Sequence, residues 1–119
     1  MQVQLENYSD YLLKVASANL LPIEIFNQLP ELDSQILESD PMVYLKIVDE
    51  YTDDILYVIE ASKTDDDIEL FGYLFNPLNN EMSEVAFDLS SLVNQIDTIM
   101  PYKRDESFIP CRLSETRSF

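Results

Sequence analysis

Histidine and tryptophan are absent from this chain, and glycine and cysteine each occur once, at Gly72 and Cys111. Each absence removes chemistry. Without histidine the usual general base near neutral pH and the commonest metal ligand are missing. Ser-His-Asp and Cys-His nucleophile systems cannot be assembled within one such chain. One cysteine and no histidine exclude ordinary zinc sites. A single glycine cannot build a phosphate-cradling loop, which needs several. A lone cysteine forms no internal disulfide, and with no base beside it Cys111 reads as a small hydrophobe or a bystander. The expectation is a protein that binds and does not catalyse, with no metal and no cofactor.

Basic residues are scarce as well: 7 Lys and Arg stand against 23 Asp and Glu, a formal net charge of −16. That balance repels nucleic acid and anionic membrane and attracts basic proteins or cations. No apolar run approaches the length that spans a bilayer. The start, Met1 to Asn7, lacks a basic region followed by an apolar stretch, so no signal peptide is expected and a cytoplasmic setting is. Apolar residues make up 46% of the 119 residues, enough for one modest core, and a single domain over residues 1–119 is expected.

Periodicity orders the chain. Leu5, Tyr8, Tyr11, Leu12 and Val15 form one face of an amphipathic helix over Leu5–Ala18. Pro22 suits the start of a second short helix running to Gln28, which makes residues 1–30 a helical segment. Glu31–Asp40 fits a helical turn or a loop. Residues 42–89 then read as strands. Val43, Leu45 and Ile47 share one face, as do Ile55, Tyr57, Ile59 and Ala61. Ile68, Leu70 and Leu74 oppose Phe71, Tyr73 and Phe75, the pattern of a strand covered on both sides. Val85, Phe87 and Leu89 point inward. Short polar connectors predict hairpins. Gly72, inside the most apolar strand, predicts a bulge or a close backbone approach. Ser90 is positioned to cap a helix over 90–100, and residues 101–119 form an extended tail. The expected fold is α+β: a four-stranded antiparallel meander with an N-terminal helix pair and one helix after the last strand, packed on one face.

The acids are unevenly placed. Between Glu31 and Glu69 thirteen carboxylates face only Lys46 and Lys63, a net of −11, whereas from Lys103 onward bases slightly outnumber acids. The candidate partner-binding residues are Asp49, Glu50, Tyr51, Asp53 and Asp54 in the first connector and Asp65, Asp66, Asp67 and Glu69 in the second. Their role would be collective and electrostatic, with Tyr51 as an aromatic anchor. Consecutive acids point in different directions and lack the spacing of a calcium loop, so a metal is not expected there. Carboxylates on a strand repeat at about 6–7 Å, comparable to the spacing of phosphates along a nucleic-acid strand. The partner expected is thus a basic surface on a nucleic-acid-binding protein, with no direct contact to nucleic acid. Two other readings use the same composition: an immunity protein that neutralises a basic toxin, and an adaptor whose apolar face binds while the charge is incidental. The contrary account of the acids is that they keep an edge strand from aggregating.

The order of short motifs resembles a known family. Leu20-Leu21-Pro22 and Leu29-Pro30-Glu31-Leu32 precede Asp40-Pro41-Met42-Val43-Tyr44-Leu45-Lys46, followed by Tyr57-Val58-Ile59-Glu60, Asp67-Ile68-Glu69-Leu70-Phe71-Gly72-Tyr73, Phe87-Asp88-Leu89-Ser90-Ser91-Leu92 and Arg104-Asp105-Glu106-Ser107-Phe108. Over residues 20 to 115 this is similar to the bacterial family called domain of unknown function 2958, often carried on plasmids and integrated elements. The resemblance implies a mobile-element setting, where small acidic proteins often block host nucleases. It carries over no catalytic residue.

Overall fold

The structure, a computed structural model, describes residues 19–93 and 102–117. It is α+β. A short helix, α1 (Ile23–Phe26), precedes β1 (Met42–Val43), β2 (Leu45–Asp49), β3 (Ile55–Lys63), β4 (Ile68–Asn76) and β5 (Glu81–Asp88). Helix α2 (Leu89–Val93) follows, then β6 (Tyr102–Arg104), β7 (Cys111–Arg112) and a 3-10 helix, Leu113–Arg117. The main sheet has five strands in the order β5-β4-β3-β2-β6, and β1 pairs with β7 in a second, two-stranded sheet. All pairings are antiparallel.

The expected meander is present as β2 to β5, but the sheet is larger than four strands. Part of the tail joins it: Ile47 pairs with Arg104 and Asp49 with Tyr102, while Val43 pairs with Cys111. The tail therefore covers the outer edge of β1 and β2. Nothing in its mixed composition announces a strand, because its pairing residues are specified by the neighbour they meet. The helix Leu5–Ala18 and residues 94–100 of the last helix lie outside the described residues. Helix α2 starts at Leu89, one residue before Ser90. Ser90 is therefore inside the helix rather than its cap, and Leu89, Leu92 and Val93 are its buried residues. At Pro22 the expectation is close: its extended backbone (φ −61°, ψ 149°) is the N-cap of α1, and the helix stops at Phe26.

Both helices pack on one face of the sheet. Leu20, Leu21, Leu29, Leu89, Leu92 and Val93 join Leu45, Ile47, Leu56, Val58, Ala61 and Leu70 in the larger core cluster. Burying such a Leu or Ile contributes about 1.5–3 kcal/mol each. The other face carries a smaller cluster of Val43, Tyr57 and Ile59, with Phe71, Tyr73, Phe75 and Met82 half-buried around it. Phe108 and Leu113 from the tail pack against it.

Two facing sets differ from the expected alternation. Ala61 lies with the larger cluster, away from Tyr57 and Ile59, and Val43 lies with the smaller one, away from Leu45 and Ile47. The change at Val43 goes with the break at Tyr44 between β1 and β2, and the change at Ala61 with an irregularity in β3. The pairing of β3 with β4 slips between Val58 and Glu60, where Val58 faces Gly72 and Glu60 faces Phe71. Ile59 is the extra residue, and such a bulge inverts the side on which later residues fall. Beside it Tyr44 interrupts the ladder, its N–H donating to the Val58 carbonyl at 3.0 Å.

The bulge lets Glu60 turn inward. Although only 2% exposed, its carboxylate accepts the N–H groups of Asp33 at 2.9 Å and Gln35 at 2.6 Å. Gln35 in turn donates to the carbonyls of Met42 and Ile59 and accepts from the N–H of Met42. Residues 31–40, which form turns and no helix, are thereby fixed along the part of β3 that β2 does not reach. Ala61 N–H bonds the Pro30 carbonyl at 2.9 Å and Leu32 N–H bonds the Ser62 hydroxyl.

Gly72 makes the close approach expected of it. A Cβ there would overlap the carbonyl oxygen of Tyr57 and stand 2.8 Å from its carbon. Gly72→Ala should therefore lower stability by about 1–3 kcal/mol through overpacking, measured by urea unfolding with the slope unchanged. Glu60→Ala leaves two backbone donors without acceptors, and should cost about 1–3 kcal/mol for each that stays buried. Amide exchange in residues 31–40 should accelerate in that variant before exchange in β4 does.

Candidate functional site

The candidate residues divide between the two ends of the sheet, and the ends differ in what their carboxylates do. In the β2–β3 turn Asp49 builds the loop. Its carboxylate accepts the N–H groups of Tyr51 at 2.9 Å and Thr52 at 3.3 Å, a local pattern that favours turns over strand. Its backbone N–H bonds the Asp54 carbonyl, and its own carbonyl receives Asp53 N–H at 2.7 Å. Asp53 adopts a left-handed φ of 65°, which aspartate tolerates better than most residues. Asp54 N–H bonds the Thr52 hydroxyl. Glu50 meets Lys103 of β6 at 3.3 Å. Tyr51 is 67% exposed near the loop tip. Asp49 and Asp54 flank a small apolar cleft that includes Leu56, Leu74 and Tyr102. The Tyr102 phenol is pushed up by burial, and further by Asp49 and Asp54.

The β3–β4 turn lies at the other end. Nine residues of β3, at about 3.3 Å each, separate the two by roughly 30 Å. Charges on exposed surfaces are screened over about 8 Å at physiological salt, so the two loops act as separate fields. Asp65 and Asp66 are exposed at the tip of this turn. Asp67 is not available in the same way. Its carboxylate accepts Ile68 N–H at 2.8 Å, Ser90 N–H at 3.2 Å and the Ser90 hydroxyl, joining the turn to the start of α2. Burial opposes its charge, but the Ser90 hydroxyl and the Ile68 and Ser90 N–H groups outweigh that, and Asp67 sits below the usual carboxylate range.

Three further acids reach this end that the linear clusters did not single out. Asp88 faces Glu69 across β4 and β5, a cross-strand distance of about 4.5–5.5 Å between Cβ atoms. The bonds to Glu60 and Ser62 bring Glu31 and Asp33 alongside β3. Glu31, Asp33, Asp65, Asp66 and Asp88 are exposed and Glu69 is half-exposed. Lys63, exposed at the end of β3, pairs with Ile68, on the opposite face of the sheet from Glu69 and Asp88. Strand alternation carried the signal for Asp88, since Glu84, Ala86 and Asp88 oppose the inward Val85 and Phe87. No sequence signal placed Glu31 and Asp33, because the bulge that docks them is not visible in the pattern.

Among the described residues, Lys103 and Arg104 of the tail and Lys46 of β2 are paired with acids. Besides Lys103, Lys46 pairs with Asp105 at 3.4 Å, and Arg104 pairs with Glu106 at 3.5 Å while donating to the Asn19 carbonyl. Arg112 donates to the Asp40 carbonyl at 3.1 Å. The Asp40 carboxylate accepts the Ser114 hydroxyl and N–H, which hold it below its ordinary range. Cys111 is half-buried, and burial first, then Glu115 and Asp40, push its thiol up, away from nucleophilic use. Among the described residues no helix is long and apolar enough to cross a membrane.

No family model matches the chain, and neither curated proteins nor solved structures contain a match to it. The resemblance to domain of unknown function 2958 rests on the motifs that carry it.

A carboxylate held below its ordinary pKa contributes stability above the unfolded value and loses it as pH falls through the folded one. For Asp67 that loss begins as pH falls past the ordinary aspartate value of about 3.8 and continues below it. Asp67→Asn should therefore flatten the acid limb of the stability curve in that window. Circular dichroism melts at pH 3 and pH 6 check this: the gap between mutant and wild type should narrow at the lower pH.

Proposed function

We propose that this chain is a non-enzymatic, protein-binding inhibitor that lays an acidic sheet end on the basic, nucleic-acid-binding surface of another protein. The observation that carries the reading is that Glu31, Asp33, Asp65, Asp66, Glu69 and Asp88, from four separate segments, lie toward one end of the sheet. The scaffold beneath them is fastened by Glu60 and Asp67. A fixed array loses little conformational entropy on binding, which favours affinity. Carboxylates at strand spacing offer a basic groove what a phosphate track offers. The family resemblance supports a mobile-element setting, and with it an antagonist of the anti-restriction or anti-CRISPR kind.

The reading ranks the two acidic loops. The β2–β3 turn contributes less, because Asp49 is spent on the turn and Glu50 is paired with Lys103. Neutralising Asp65, Asp66, Glu69 and Asp88 together to the matching amides should weaken capture of the host partner at least ten-fold. The dependence of affinity on salt should become shallower as well. Neutralising Glu50 and Asp53 should change capture less than three-fold. Pull-downs from the host at 50 and 500 mM salt, with the retained partner then titrated against each variant, provide the measurement. Capture that is equal at both salt concentrations would overturn the reading.

A further inference from the structure

We propose that the outer edge of β5 is a strand-addition site for an extended basic segment of the partner protein. This rests on the reading above that the partner is basic, and it names how the partner is held. The two edges of the main sheet are finished differently. On one side β6 and β7 cover β2 and β1. On the other, β5 is the last strand, and among the described residues no strand pairs with its outer side. Its ends are fastened: Glu81 N–H bonds the Asn79 side chain, and the Asp88 carbonyl receives the Ser91 hydroxyl. Between them the register with β4 runs unbroken from Asn76–Glu81 to Glu69–Asp88. Alternate residues of such an edge turn N–H and C=O groups outward in a regular row, the template for another strand.

Edges are usually blunted by proline, by lysine, by a bulge or by shortness. β5 has eight residues, no proline, no lysine and no bulge against β4. Its charges are all negative: Glu81, Glu84 and Asp88. These acids select the occupant. A second copy of β5 would bring its own three acids against them, with no base on either strand to neutralise the pair. A strand bearing Lys or Arg meets no such penalty.

The two sides of β5 specify more. Glu84 and Asp88 face Tyr73 and Glu69 across the ladder, on the side of the aromatic row. Val85 and Phe87 pack with the larger core cluster on the opposite side. An added strand therefore needs basic residues at alternate positions, to meet Glu84 and Asp88, with apolar residues between them to extend the rim of the core. Cross-strand partners stand about 4.5–5.5 Å apart at Cβ, within reach of Lys and Arg.

The test uses the full chain and two labelled ten-residue peptides, both alternating lysine with valine. One is unmodified. The other is N-methylated at alternate amides, so that it keeps its charge but cannot complete a ladder. The unmodified peptide should bind at least ten-fold more tightly and slow amide exchange within residues 82–88. Glu84→Lys with Asp88→Lys should reduce its binding at least ten-fold. Glu84→Gln with Asp88→Asn, which keeps side-chain size, should give an intermediate loss with a melting temperature no lower than that of the wild type. Equal binding of the two peptides, or protection confined to residues 64–69, would overturn strand addition while leaving the electrostatic reading in place. If neither peptide binds at low salt, strand addition falls, and host capture that is also insensitive to salt removes the reading beneath it.

Discussion

Where β3 passes Gly72, the two backbones come closer than any side chain would allow, and within two residues β3 carries one residue more than β4 can pair. The rest of the architecture follows from that crowding. The extra residue, Ile59, leaves Glu60 facing inward at a place where β2 has already ended. A buried carboxylate without partners would be costly, and Glu60 is supplied by the N–H groups of Asp33 and Gln35. Docking of residues 31–40 is therefore a consequence of the bulge. So is the change of side at Ala61. One backbone contact thus decides which core cluster Ala61 joins and which acids reach the β3–β4 end.

Much of this was legible in the chain and some was not, for reasons tied to particular residues. β4 could be assigned to both faces because Ile68, Leu70 and Leu74 alternate cleanly with Phe71, Tyr73 and Phe75. Gly72 was legible as a close approach because a glycine in an apolar strand has few other reasons to be there. A bulge was the other expectation at Gly72, but its place across the ladder in β3 was not legible, since nothing distinguishes Ile59 from the apolar residues around it. β6 and β7 were hidden for another reason. Strands of three and two residues are too short for a period-two pattern, and their existence depends on the edge they cover. In the candidate site the acids were visible, but their employment was not. Asp49 and Asp67 look like any other acid in a run until their hydrogen bonds are known.

That employment separates two populations within one composition. Asp40, Asp49, Asp67 and Asp105 accept backbone N–H groups or serine hydroxyls and stabilise turns. Their negative charge is incidental to a role that asparagine could partly fill. Glu31, Asp65, Asp66, Glu84 and Asp88 are exposed and serve no such turn. Turn building accounts for the first group and not for the second, of which Glu84 and Asp88 lie on an edge strand that like charge keeps from self-pairing.

The second group also has a cost. A net charge of −16 on 119 residues repels itself, and self-repulsion weakens the compact state. Glu69 and Asp88, paired across neighbouring strands, illustrate it, because like charges placed directly opposite one another are destabilising. Among the described residues, Lys46, Lys103 and Arg104 are engaged elsewhere, with Asp105, Glu50 and Glu106. Those three bases thus do not relieve the repulsion at the β3–β4 end and along β5. A basic partner would relieve it, and by binding the folded state alone would stabilise that state by mass action. Self-repulsion in the free chain and affinity in the complex are then two aspects of one charge distribution.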